Sequence, residues 1–324
     1  VASFAHPVLV LDFNTGRVLY HKEAFARWYP ASLTKLMTLY LTFQAMKDNK
    51  LSKESILKIS PMAASMPPSN SGFAAGSTLS LDTALKILLI RSTNDLAISL
   101  AERVSGNVPR FVQLMNKTAQ RLGMKSTHYT SPHGLMNLNN YTNARDLAVL
   151  AYRIRKEFPQ FNSYFHFPAL CINDNYQELF LNTNNLIERF KGIDGMKTGF
   201  LCASGYNLVA SATREGRTLV AIVLGAKSLE EREIEAADLL EKGFRMKVRK
   251  SMPKLMQLPP YGPHQDAAQD LRKAVCHADQ SAVMDLDLDN YGALIIHSPY
   301  VRPFTVPKDI IRLRVIEEKS PRMQ

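Results

Sequence analysis

The chain has 324 residues, 46% of them hydrophobic and 21% charged, which is the composition of an ordinary globular protein with room for one large domain and a smaller one. No apolar run approaches the roughly 18 residues of a membrane-spanning helix, the longest lying near residues 219–226. The net charge of +11 suits anionic partners such as acidic wall polymers or lipid headgroups, but the basic residues are dispersed, with no run of five and no aromatic-interleaved motif, so nucleic acid is set aside.

The sequence starts at Val1 with neither an initiator Met nor a basic-then-apolar leader, and reads as a mature product whose targeting segment is missing. Residues 7–12 and 17–20 are apolar-rich strands flanking Asn14-Thr15-Gly16, a hairpin with Gly where positive φ is needed. Pro30 precedes Ser32-Leu33-Thr34-Lys35 and an apolar pattern to about Met46, a helix with Ser32 in or beside its first turn. Helical periodicity then covers residues 81–90, 95–104, 109–122 and 144–158, the last begun at Asn143. After Asp194 the pattern turns to strands at 196–200, 206–213 and 219–224, with Glu215-Gly216 as a turn, and a helix at 229–243.

Strands near both ends with helices between them predict one α/β fold, a mostly antiparallel sheet assembled from distant pieces with an all-helical block inserted between its second and third strands. Residues 1–246 would form this unit. From residue 247 onward prolines crowd in and residues 283–307 alternate, so 247–324 is read as a separate small β-containing module or a partly flexible tail. Cys171, Cys202 and Cys276 are odd in number and fit neither a disulfide framework nor a metal spacing, leaving the compartment open.

Three short motifs carry the chemistry. Ser32 and Lys35, three apart on a helix, share a face. A neutral Lys amine can then take the serine proton if burial and the helix N-terminus depress its pKa. Ser-x-x-Lys recurs at Ser55/Lys58 and Ser251/Lys254, so the motif alone does not choose. Ser92-Thr93-Asn94 lies at a junction of two helices, where a hydroxyl could relay a proton and an amide could hold a carbonyl, although Ser-x-Asn is also an ordinary helix cap. Lys197-Thr198-Gly199 on a strand offers an ammonium and a hydroxyl to a carboxylate, and a Gly that admits substrate backbone. Strict alternation places Lys197 and Thr198 on opposite faces, which an edge position or twist has to reconcile.

The set Ser-x-x-Lys, Ser-x-Asn, Lys-Thr-Gly in this order is that of penicillin-binding proteins and class A β-lactamases. With the contexts Ala31-Ser32-Leu33-Thr34-Lys35-Leu36-Met37-Thr38, Arg91-Ser92-Thr93-Asn94-Asp95 and Asp194-Gly195-Met196-Lys197-Thr198-Gly199-Phe200, the chain resembles the low-molecular-mass D-alanyl-D-alanine carboxypeptidases from about Pro7 to Phe244. That resemblance implies a β-lactamase/DD-peptidase-like fold with Ser32 as the acylated nucleophile, Lys35 the general base and Ser92 the proton relay. It implies Asn94 as a ligand of the substrate amide, Lys197 and Thr198 holding the terminal carboxylate beside Gly199, and the N–H groups of Ser32 and Phe200 as oxyanion hole. It further implies peptidoglycan stem peptides ending in D-Ala-D-Ala as substrates, β-lactams as covalent inhibitors, and export to a periplasm or cell surface. The family's Arg after the Leu-Gly strand end is here Lys227, and an ammonium does not replace a bidentate guanidinium. Leu201 and Cys202 follow Phe200 where relatives carry Thr, and Cys202 is read as packed and inert, yet near enough to the site for oxidation to be felt.

Rival readings share these residues. A class A β-lactamase needs a deacylating Glu, and Glu178-Leu179-Phe180-Leu181-Asn182 has the right letters in the wrong place, shortly before Lys197. A D,D-endopeptidase uses the same motifs, and a non-catalytic wall-binding protein would have no need of intact Ser32, Lys35 and Lys197. Asp285-Leu286-Asp287-Leu288-Asp289 fails as a calcium loop, with Asn290 where Gly is needed and Ile296 where Glu is needed, and reads as a half-buried strand. No cofactor and no metal are expected.

Overall fold

The computed structural model describes residues 6–279, 281–283 and 286–318. Strands β1 (Val8–Asp12) and β2 (Arg17–Lys22) form the opening hairpin. Its turn is closed by Gly16 at φ +70° and by the Asp12 carboxylate, which accepts from the Thr15 N–H and hydroxyl. A short 3₁₀ turn, Ala31–Thr34, runs straight into α1 (Lys35–Lys47), which is buried on every side through Phe43. A helix so enclosed sits at the centre of a domain, not on its surface.

A small antiparallel pair, β3 (Ile56–Lys58) with β4 (Thr78–Ser80), encloses α2 (Pro61–Ala64). The helical block continues through α3 (Leu81–Arg91), α4 (Asn94–Ser105), α5 (Val108–Arg121) and α6 (Ala144–Glu157). Ser80, Asn107 and Asn143 cap α3, α5 and α6 by accepting a backbone N–H, each cap worth about 1 kcal/mol. Beyond lie β5 (Ala169–Ile172) and β6 (Phe180–Leu181), the long strands β7 (Ile193–Leu201), β8 (Gly205–Arg214) and β9 (Arg217–Ala226), then α7 (Leu229–Arg245), α8 (Arg272–Val275) and β10 (Ile311–Leu313). The two-residue to four-residue strands outside the main sheet were not predicted, because so few residues carry no readable alternation.

The main sheet is antiparallel throughout with order β2-β1-β9-β8-β7. The helical block therefore enters between its second and third strands in chain order, as the sequence predicts. Alternation divides the sheet cleanly: Leu9, Leu11, Val209, Val220 and Ile222 face the helical block, while Val8, Val10, Leu208, Leu219 and Val223 pack toward α7. Strand β7 is left at the edge.

Past residue 247 the described chain is a strap, mostly coil apart from α8 and β10, laid along the outside of this unit. Leu255, Leu258, Leu313 and Val315 join the core on the helical side, and Val275, Cys276, Leu294, Ile296 and Val301 join the core beneath α7. Strand β10 pairs in parallel with β5. Cys202, expected as a packed free thiol, is joined to Cys276 by a disulfide; a partner 74 residues away leaves no local spacing to read. Asp285 of the alternating Leu-Asp segment lies outside the described residues. From Leu286 onward the expected strand is absent except for a single bridge, Leu288 to Leu294, because the Asp289 carboxylate accepts the N–H groups of Tyr291 and Ala293 and folds the chain into a tight turn. Among the described residues no helix is long and apolar enough to cross a membrane.

Candidate active site

The 3₁₀ turn before α1 presents Ser32 half-buried while Lys35, the first residue of α1, is fully buried. Ala31 adopts φ +52°, and Gly134 packs so tightly behind it that a Cβ there would stand 1.9 Å from the Ala31 carbonyl oxygen. The turn is thus held from outside, not by its own caps. The Lys35 Nζ lies 2.8 Å from Ser32 Oγ, 2.9 Å from Asn94 Oδ1, and 3.2 and 3.3 Å from the Ser92 carbonyl and hydroxyl oxygens. The other two Ser-x-x-Lys matches end in exposed lysines, Lys58 and Lys254, outside this cluster.

Ser92 ends α3 in the left-handed region, φ 56° and ψ 49°, a conformation that costs a non-glycine residue about 1–2 kcal/mol and collects at functional sites. It turns the hydroxyl between two amines, with Lys197 Nζ donating to Ser92 Oγ at 2.8 Å. Asn94 is the first residue of α4 and does not serve as its cap: its side chain accepts from Lys35 and donates to the Pro67 carbonyl at 3.2 Å. The next residue, Asp95, is buried and held by the backbone N–H and hydroxyl of Ser71.

Strand β7 passes along this turn by its free edge. Gly199 makes the approach possible, since a Cβ there would fall 3.0–3.1 Å from the backbone nitrogens of Leu33 and Ser32 and the Pro30 carbonyl. Lys197 and Gly199 look toward the serine turn. Thr198, on the opposite side, donates at 2.8 Å to Thr183 Oγ1, so the two side chains stay on opposite faces of the strand as the two-residue alternation demands. Phe200 packs against Tyr206 with the rings tilted and their centroids 4.4 Å apart.

Burial decides the charge state. It lowers the Lys35 amine from its ordinary 10.5 to about 7, against the pull of Asp95. Lys197 is driven well down by burial, with Lys35 and Arg232 pressing the same way. Near neutral pH a large fraction of Lys35 is therefore a free amine bonded to a serine hydroxyl, the arrangement that activates a weak nucleophile. Neither amine has a carboxylate bonded to it among the described residues.

The eight residues singled out by sequence reasoning lie around this one cleft: Ser32, Lys35, Ser92, Asn94, Lys197, Thr198, Gly199 and Phe200. Sequence reasoning missed three others. His133 is half-buried near Lys35, and desolvation together with that amine lowers it to about 4. Its Nδ1 accepts the Leu135 N–H at 3.0 Å, so the ring is neutral with its proton on Nε2. Gly134, beside it, is the close-packing residue behind the turn. Lys227, where the resemblance sought a guanidinium, is exposed; five residues later Arg232 on α7 is buried, and its Nη2 donates to the Thr183 carbonyl at 3.4 Å. Only a helical count from Ser228, the cap of α7, would have placed it.

The family model described as D-alanyl-D-alanine carboxypeptidase matches residues 3–228. The D-alanyl-D-alanine carboxypeptidase DacA of Haemophilus influenzae is 36% identical over 250 residues, 74% of this chain and 62% of its own length; the chain thus spans less than two thirds of that relative. Penicillin binding protein 5 from Haemophilus influenzae superposes with a TM-score of 0.70 at 34% identity, over 76% of this chain and 73% of that one. Penicillin-binding protein D2 from Listeria monocytogenes in its ampicillin-bound form gives a TM-score of 0.63 at 29% identity, over 75% and 99%.

Proposed function

The chain belongs to the D-alanyl-D-alanine carboxypeptidase family, and on that premise we propose that it is a serine D-Ala-D-Ala carboxypeptidase acting on peptidoglycan stem peptides and acylated by β-lactams. The observation that carries this is the Lys35 amine, held near pKa 7 by burial and 2.8 Å from Ser32 Oγ. Ser32 Oγ attacks the carbonyl of the penultimate D-Ala while its proton passes to neutral Lys35. The developing oxyanion is taken by the N–H groups of Ser32 and Phe200, a reading supported by the close approach of Gly199 on β7 to the serine turn. Ser92, fixed between Lys35 and Lys197, hands its proton to the departing D-Ala amine as the C–N bond breaks and regains one from protonated Lys35, which is left neutral. Water then attacks acyl-Ser32, Lys35 accepting its proton and returning it to Ser32 Oγ as the ester C–O bond breaks. Asn94 holds the substrate amide, and Lys197, Thr198 and Arg232 receive the terminal carboxylate.

Residues 1–246 are read as the catalytic unit and the rest as a strap fastened to it. The Cys202–Cys276 disulfide supports export to a periplasm or cell surface, where such bonds persist. The test is D-alanine release from diacetyl-Lys-D-Ala-D-Ala by the wild type and by Ser32→Ala. Release lost in the variant supports the reading. No release, together with penicillin turnover within seconds, points to a β-lactamase instead.

A further inference from the structure

A groove runs where the strap crosses the main unit, and the mechanism above makes no use of it. Two adjoining cavities of about 230 and 440 Å³ share Pro168, Ile187 and Glu188 in their linings, so they form one elongated depression. One wall comes mostly from residues 166–193 and the other from strap residues 286–311, beyond the stretch matched to the family. A single segment separates the groove from the cleft. Thr183 of that segment accepts from Thr198, while its neighbour Asn184 donates to the Gly195 carbonyl of β7 at 3.1 Å and lines the groove.

The polar groups of the groove are only partly used by the fold. Arg189 is 5% exposed, and its Nε and Nη1 fasten the strap by donating to the Arg302 and Leu294 carbonyls at 2.9 and 2.8 Å. Its Nη2 has no hydrogen-bond partner among the described residues and is not sealed from solvent, so a donor is left for whatever fills the cavity. The side chains of Glu188, Arg302 and Asp309 also line the groove, with no hydrogen bond or ion pair to any described residue. These four charges, two of each sign, cancel in a protein whose net charge is +11. An anionic polymer gains little from such a lining, whereas a neutral ligand carrying its own donors and acceptors is served by both signs. Between the polar groups lie aromatic rings: Phe304, 6.1 Å from the ring of exposed Tyr291, and Phe167 in the second cavity. Aromatic faces beside hydrogen-bonding groups in an open groove match the alternating C–H and hydroxyl surfaces of a sugar chain. Around Arg189 the wall is apolar, with Ile187, Leu288 and Leu294, which fits a carbonyl that carries a methyl group.

We propose that this groove holds a neutral glycan strand of N-acetylated amino sugars, an acetamido carbonyl accepting from Arg189 Nη2 and a sugar face resting on Phe304. The enzyme then grips wall polymer beside the stem peptides it trims, which raises their local concentration at the cleft. This deepens the proposed function and rests on it.

The test compares D-alanine release from soluble diacetyl-Lys-D-Ala-D-Ala and from isolated sacculi rich in pentapeptide. The double variant Glu188→Gln, Phe304→Ala should keep the soluble-peptide rate within about twofold and lower release from sacculi by about 3–30-fold, the loss of one or two ligand contacts. Saturation-transfer NMR with tri-N-acetylchitotriose reads binding without turnover. Wild-type protein should transfer saturation to the acetamido methyls, the double variant should transfer much less, and cellotriose, with the same linkage but no acetamido groups, should bind at least about tenfold more weakly. Absence of transfer to the trisaccharide, equal binding of cellotriose, or sacculus release unmoved by the double variant would each overturn the proposal. A wild type that releases no D-alanine from the soluble peptide defeats the functional reading instead, and the trisaccharide measurement still judges the groove by itself.

Discussion

Lys35 and Lys197 are buried in the cleft with hydroxyls, carbonyls and an amide as their partners, whereas the strap beyond residue 247 keeps every described Lys, Arg and Glu exposed. The strap holds on through a few apolar residues, one short parallel strand and a disulfide. The cleft accepts local instability in the form of desolvated amines and a left-handed serine, since those features create a base and aim a hydroxyl. The strap carries no such cost and its attachment is a matter of closure. Stability and reactivity are thus assigned to different regions, and each can be perturbed without the other.

The largest expected effect is on the cleft side. Lys35→Met should slow acylation by benzylpenicillin about 10²–10⁴-fold, the span of a lost general base, while urea unfolding shows stability unchanged or higher because a desolvated amine has been removed. A loss under tenfold would take Lys35 out of the base role. On the strap side, Cys276→Ser opens a link between residues 74 apart in sequence and should remove about 2–4 kcal/mol of stability, measured by denaturant melts under non-reducing conditions, with acylation changed only a few-fold. If acylation collapsed instead, the strap would be part of the catalytic apparatus and the division would fail. The smallest effect is one of pH. Lys35 titrates near 7 and is active as the neutral amine, so kcat/KM should fall about tenfold for each pH unit below 7 and level off above it; a profile flat to pH 5 would contradict the assignment.

The same division explains what the sequence made legible. In the cleft, chemistry demands particular residue types at fixed spacing, so Ser32, Lys35, Ser92, Asn94 and Lys197 stand out from motif order and spacing alone, and hydrophobic period locates the main strands and helices around them. Gly134 and His133 lie in a segment without periodicity; what marks them is Gly134's contact with a turn about a hundred residues earlier and the nearness of His133 to Lys35. Arg232 was hidden because the search stopped at the end of β9, not at the first turns of the following helix. In the strap the chain borrows its order from distant partners: Cys276 from Cys202, β10 from β5, and Leu294 and Val301 from the sheet beneath α7. Local pattern has nothing to say about such pairings, and at Asp289 it misled, as a side chain that caps its own turn overrode an alternation of Leu and Asp.

The central claim is that Ser32 is a nucleophile made reactive by its neighbours, and intact-protein mass spectrometry after brief exposure to benzylpenicillin tests it most directly. Wild-type protein should gain the mass of one penicilloyl group on the peptide that contains Ser32, and Ser32→Ala should gain none. An adduct that persists in Ser32→Ala, or wild-type protein that stays unmodified, would contradict the account.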